Sequence, residues 1–293
     1  MTNAFAKPMA DREGLKPACA ASDTDAGCRG DSLLVHDHVD VLGVKVSAID
    51  MKLAVKLAEE WIASGEPGYV CVAAVHGVME AKRDPELLRI FNRAVIAAPD
   101  GMPLTWVGRL QGFTHMDRVF GPDFMMEMCR LSAARGYRHF LYGGKPGVAQ
   151  ALAAAMQRKL PGLQVVGTYT PPFRSLTPDE ERDLAEQVSR ARPHILWVGL
   201  STPKQERFMA NYVDCLQVPL LVGVGAAFDF HTGRIRDCST WIKRAGLQWL
   251  HRLIQDPKRL WSRYLVNNPA FMWHVAWQLV RFRHGAPGPT KQH

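Results

Sequence analysis

A chain of 293 residues, 47% of them hydrophobic, buries a large core and calls for one sizeable domain with an appendage. Its formal charge of +8 and pI near 9.3 point to an anionic partner, whether a nucleotide, a nucleic acid or an acidic lipid surface. The six cysteines show no CxxC spacing, which argues against a zinc site and for buried free thiols in a reducing compartment, and no apolar run reaches the ~20 residues that span a bilayer.

Residues 1–33, rich in Ala, Asp and Gly without periodicity, predict a disordered leader. The first residues lack a basic start followed by an apolar core, so no secretory signal is read and a cytoplasmic location is expected. Asp23-Thr24-Asp25 lies in the leader with no strand before it, and no metal role is assigned to it. From residue 34 to 245 strand-like and helix-like segments alternate. The pattern predicts a hairpin over 35–46, a helix over 48–64, a strand over 69–75, a helix over 84–92 and a strand over 94–98. Helices follow over 104–110 and 122–135, then a strand over 139–142, a helix over 148–160, a strand over 164–167 and a Pro-initiated helix from 178 to 190. Strands over 195–199 and 220–225 close the series. This order predicts an α/β fold with a doubly wound, mostly parallel sheet and helices on both faces.

Parallel strands deliver ligand-binding groups at their carboxyl ends, and here polar clusters stand at five of those ends. The run 195–199 empties into Ser201-Thr202-Pro203-Lys204-Gln205-Glu206, and the run 220–225 into Ala226-Ala227-Phe228-Asp229-Phe230. Together these suit a nucleotide: Lys204 for a phosphate, Gln205 for a base edge, Asp229 for ribose hydroxyls. Asp100, in Pro99-Asp100-Gly101-Met102-Pro103, is a candidate general base, with a backbone-bonded turn Asp as the alternative. Tyr142-Gly143-Gly144-Lys145 offers amides to a phosphate or is simply a tight turn, and it is not a G-x-G-x-x-G fingerprint. His76 sits at another strand end, in a catalytic or a structural role.

The ordered series Pro99-Asp100-Gly101-Met102-Pro103, Arg118-Val119-Phe120-Gly121-Pro122-Asp123, Leu141-Tyr142-Gly143-Gly144, Pro171-Pro172-Phe173, Pro203-Lys204-Gln205-Glu206 and Gly225-Ala226-Ala227-Phe228-Asp229 resembles the WecG/TagA/CpsF glycosyltransferase family, from about residue 40 to 271. The resemblance implies a Rossmann-like GT-E fold and an enzyme of bacterial surface-polysaccharide assembly. Such an enzyme moves a sugar from a UDP-sugar to an acceptor on undecaprenyl diphosphate, with inversion and no essential metal or cofactor. By the same likeness Asp100 is the base, Gln205 and Asp229 hold uridine, and Gly143, Gly144, Pro172, Phe173 and Lys204 line the donor. His76 and Arg118 face substrate. Three departures stand out: Ala74-Val75-His76 where relatives carry a Thr and an Asn, Asp237-Cys238 where Ala-Pro is usual, and Gln248 in place of a Glu.

Residues 246–284 form a basic aromatic appendage, followed by a flexible tail over 285–293. Between His231 and His284 ten basic residues face two acids, a surplus equal to the net charge of the whole chain. Without a metal, arginines neutralise a departing diphosphate, and Arg252, Arg259 and Arg263, spaced to share a helix face, are the candidates; a solvated basic face is the alternative. The segment from Trp241 also holds five of the eight tryptophans, which suits an anionic membrane surface as well as it suits core packing. The expected partners are thus a UDP-sugar, a polyprenyl-diphosphate-linked glycan and an anionic inner membrane face, not nucleic acid; homo-oligomerisation is left open. Two other classes compete: a nicotinamide-dependent oxidoreductase, disfavoured by the missing dinucleotide fingerprint, and a non-enzymatic basic adaptor, which leaves the polar strand ends unexplained.

Overall fold

The computed structural model describes residues 36–283, without the side chains at 240, 244, 259, 282 and 283. The leader with its Asp23-Thr24-Asp25, and the tail from residue 284, lie outside the described residues. The chain opens on an antiparallel hairpin, β1 (His38–Val41) and β2 (Val44–Ser47). Asp50 then caps helix α1 (Met51–Ser64) by accepting from the Leu53 N–H at 2.8 Å, and its apolar stripe of Ala54, Leu57, Ala58, Trp61 and Ile62 turns inward. Strand β3 (Gly68–Ala73) is buried along its whole length, as a strand covered on both faces must be.

The expected strand over 69–75 ends early, because Val75 opens helix α2 (Val75–Arg83), which buries Val78, Met79 and Ala81 at helical spacing. Asp84 caps α3 (Pro85–Asn92), and β4 (Ile96–Pro99) follows. Helices α4 (Met102–Leu110) and α5 (Gly121–Arg135) lead to β5 (Arg138–Gly143), α6 (Val148–Lys159) and β6 (Gln164–Tyr169). A capping box of Thr177 and Glu180 starts α7 (Pro178–Ala191). Then come β7 (Ile195–Gly199), α8 (Lys204–Leu216), β8 (Leu220–Gly223) and the short α9 (Ala227–His231).

Six of these strands form one parallel sheet in the order β4-β3-β8-β7-β5-β6. Alternate residues of each strand feed two separate cores: Tyr69, Cys71, Leu196, Val198 and Leu221 on one face, Val70, Ile96, Leu141, Trp197 and Val222 on the other. Helices α2, α3, α7 and α8 cover the first, and α1, α5, α6 and α9 the second. The expected doubly wound α/β architecture is present. Each fully buried Leu, Val or Phe contributes about 1.5–3 kcal/mol, so two such layers supply most of the driving force for folding. Cys71, Cys129 and Cys238 are buried free thiols, whereas Cys215 is disulfide-bonded, a correction to the reading of free thiols throughout.

Helix α10 (Thr240–Arg244) leads to the appendage, which is helical: α11 (Gln248–Gln255), α12 (Pro257–Leu265) and α13 (Asn267–Arg283). It returns to the core. Phe271 and Val275 of α13 join the first hydrophobic layer, and the Gln278 side chain accepts from the Leu42 N–H at 3.1 Å and donates to the Asp40 carbonyl at 2.9 Å.

Candidate active site

Because all six strands run the same way, their carboxyl ends share one edge. The chain leaves β5 toward β6 but leaves β7 toward β8, so β5 and β7 are neighbours with diverging connections. Such a switch point opens a crevice. There the Gly144 N–H donates to the Gly199 carbonyl at 3.1 Å, and Gly143 has φ +120°. A Cβ on Gly143 would stand 2.7 Å from that carbonyl oxygen, and one on Gly199 2.7 Å from the Phe228 ring, so both positions require glycine. The Gly143-Gly144 turn is thus in backbone contact with the last residue of β7, from which the other expected nucleotide loop departs.

Gln205 and Glu206 open α8 and are both buried. The Gln205 Nε2 donates to Glu206 Oε1 at 3.0 Å, as does the Thr202 hydroxyl at 2.9 Å. Gln205 Oε1 and Glu206 Oε2 are buried acceptors without a hydrogen-bond partner among the described residues. Gln205 lies under the end of β8, where a Cβ on Gly225 would come 3.4 Å from its Oε1. Burial pushes the Glu206 carboxyl above its ordinary range, an effect partly offset by Gln205, Thr202 and the charge of Arg263.

Asp100 follows β4, and its N–H donates to the Ala73 carbonyl at the end of β3. The Arg118 Nε donates to the Asp100 carbonyl, and Arg118 Nη2 lies 3.5 Å from Asp100 Oδ1, within ion-pair range though Oδ1 accepts no hydrogen bond. Arg118 Nη2 also donates to Gln248 Oε1 of α11, and its guanidinium covers the Phe120 ring at 4.3 Å. Arg118, expected at substrate, turns its Nε and Nη2 to Asp100 and to the appendage.

From the appendage, Arg263 reaches inward. Burial pulls its pKa down, the charge of Arg252 does the same, and Glu206 and Asp100 pull it back up, so both carboxylates act on this one cation. Arg252 sits over the Phe230 ring at 5.6 Å, and Phe230 meets Phe120 edge to face at 5.5 Å. The expectation that Arg252, Arg259 and Arg263 share one helix face is corrected for Arg252, which lies on α11, whereas Arg259 and Arg263 fall four residues apart on α12. Asp256-Pro257 breaks the segment into α11 and α12, since a proline cannot donate to the preceding turn and forces its neighbour out of helical geometry. The charge of Arg252 acts on Arg263 across that break; the side chain of Arg259 lies outside the described residues.

His76 occupies the first turn of α2, not a strand end. The Asn267 Nδ2 donates to His76 Nδ1 at 3.1 Å, while Asn267 Oδ1 accepts from Arg83, which fixes the amide and leaves the ring a neutral Nε2–H tautomer. Burial, then Arg263 and Arg83, push its pKa down to about 4, so the 3.8 Å approach of Glu80 is no ion pair near neutrality.

Other expected residues stand apart. Phe173 is 89% exposed, and with Pro172 it follows the edge strand β6. Lys204 is exposed at the start of α8. Asp229 lies on α9, beside the crevice through its neighbour Phe228. Asn267 carries no sequence signal, and Glu206 and Phe230 stand in strand-end clusters that do not reveal the burial of the one or the Phe120 contact of the other without the fold.

Among the described residues no helix is long and apolar enough to cross a membrane, and no cluster of three His, Cys, Asp or Glu is placed to hold a metal ion. A family model described as Glycosyl transferase WecG/TagA/CpsF family matches residues 39–285. The chain is 28% identical over 214 residues to the N-acetylglucosaminyldiphosphoundecaprenol N-acetyl-beta-D-mannosaminyltransferase of Bacillus subtilis, covering 73% of this chain and 80% of that one. It is 26% identical over 186 residues to the protein of the same name from Bacillus spizizenii, covering 64% and 70%. With a match over most of its length, and with the strand-end motifs gathered at one edge of a doubly wound sheet, the chain belongs to the WecG/TagA/CpsF family and is a glycosyltransferase.

Proposed function

We propose that the protein transfers a sugar, with inversion and without a metal, from a UDP-sugar to a sugar on undecaprenyl diphosphate at the inner face of the cytoplasmic membrane. The observation that carries this reading is the ion pair of Asp100 with Arg118 at the carboxyl edge of the sheet, with the Arg263 cation of the appendage under the charge of both Asp100 and Glu206. A carboxylate and buried cations are what this reaction needs. Asp100 takes the acceptor hydroxyl proton as the oxygen forms its bond to the anomeric carbon; the bond from that carbon to the diphosphate oxygen breaks, and UDP leaves with the electron pair. Arg263 and Arg252 neutralise the charge growing on the diphosphate, with Arg259 as a further candidate.

In this reading the Gly143-Gly144 amides lie along the phosphates with Lys204 at their outer side, and Asp229 accepts from the ribose. The unpartnered Gln205 Oε1 accepts an N–H from the uracil edge. His76, neutral, offers its Nε2–H to the acceptor sugar. Pro172 and Phe173 border the donor only if their loop folds inward. The names of the relatives suggest an N-acetylmannosaminyl donor and an N-acetylglucosaminyl-diphosphate-lipid acceptor as the first pair to assay.

The test is Asp100→Asn. Transfer from UDP-N-acetylmannosamine is expected to fall at least ~10³-fold, while UDP affinity by calorimetry stays within about twofold. Undiminished turnover would remove Asp100 from the mechanism.

A further inference from the structure

The contact between Arg118 and Gln248 poses a problem of orientation. A glutamine amide has one accepting and one donating end, and only the oxygen end is useful to a guanidinium. Gln248 is 6% exposed, so water has little access to hold the amide in place. Its other end is held by protein: Nε2 lies 3.4 Å from Asp237 Oδ1 and donates to it. Asp237 is itself fixed, accepting from the Cys238 N–H at 2.8 Å and from Lys243 Nζ. Turned over, the amide would set its NH₂ against Arg118 and its oxygen against a carboxylate, two repulsions in place of two hydrogen bonds. The chain of contacts therefore runs from Asp237 through Gln248 to Arg118 and ends on the carbonyl and carboxylate of Asp100.

Resting on the reading of Asp100 as the base, we propose that Asp237 is a positioning residue. It selects the orientation of Gln248, which holds Arg118, which holds Asp100 where the acceptor hydroxyl must lie. The relay joins α11 and the segment before α10 to the core, so seating the appendage and aligning the base are one event.

The experiment is a rescue cycle read by steady-state kinetics and UDP calorimetry on the full chain. Asp237 is partly exposed, with 45% of its side-chain surface open, so Asp237→Ala opens no cavity. It lowers kcat about tenfold, the scale of a displaced catalytic group, with UDP affinity within about twofold and Tm nearly unchanged. Gln248→Glu added to Asp237→Ala restores kcat to within about threefold of the parent, because a carboxylate accepts from Arg118 through either oxygen and needs no orienting partner. Gln248→Glu alone, which sets a second carboxylate beside Asp237, is less active than that double variant. A double variant no faster than Asp237→Ala, or a fully active Asp237→Ala, overturns the relay. An active Asp100→Asn overturns the reading beneath it instead, and an inactive Asp100→Asn with no rescue overturns the relay alone.

Discussion

His76 shows how one side chain ties the two parts of the molecule together. Its ring accepts from Asn267 of α13, and burial, then Arg263 and Arg83, push its pKa down to about 4, so the fold holds it neutral. The unfolded chain binds that proton near 6.5. Between those values the unfolded state carries more protons than the native state, so stability falls as pH drops through the window, and the penalty at pH 5 is on the order of 2 kcal/mol. His139, pushed down to about 3 by burial, adds a slope of the same sign. Urea unfolding at pH 7 and pH 5 measures this, and His76→Gln is expected to reduce the difference; an unchanged difference would mean that the ring titrates freely. At this scale Asp100, Gln205 and Arg118 are legible through their motifs, since Asp100 and Gln205 each come after a strand and all three carry chemistry suited to a ligand. It gave no sign that Asn267, 191 positions from His76, would set the tautomer of that ring. Partners so distant in sequence meet only through the packing of α13.

Elements tell a similar story. The strands were legible because a parallel sheet covered on both faces demands continuous apolar runs, and β7 was read to the residue. Helix α2 was not, since its N-cap Ala74 and its first residue Val75 continue the apolar run before them. The shared face expected of Arg252 with Arg259 and Arg263 does not form, because their helical spacing runs across Asp256-Pro257, where the backbone leaves the helix. At the crevice, the tight approach of β5 and β7 predicts that Gly143→Ala is costly: its φ of +120° disfavours any Cβ, and the added methyl would collide with the Gly199 carbonyl. A loss of about 2 kcal/mol or more in unfolding free energy, together with weakened UDP binding, is expected from denaturant titration and calorimetry. Wild-type behaviour in both would mean that this turn is loose and does not shape the site.

Across the whole molecule, charge and apolar surface are distributed unevenly. The surplus of positive charge lies between His231 and His284, and there Trp241, Trp261, Trp273 and Trp277 are exposed, with Trp273 at 72%. Core packing does not take up these rings, which favours the proposed docking on an anionic bilayer, where aromatic rings and basic residues act together at about 1 kcal/mol per basic residue. Co-sedimentation with phosphatidylglycerol vesicles is expected, weakened by Trp273→Ser with Trp277→Ser and by raised salt; equal binding to purely zwitterionic vesicles would contradict it. The account as a whole depends on separate loops closing around a single nucleotide. Hydrogen exchange with and without UDP tests that most directly. Slowed exchange at 143–148, 199–206 and 226–231, at the ends of β5, β7 and β8, is the predicted result. Protection confined to one of these segments, or appearing only elsewhere on the surface, would contradict it.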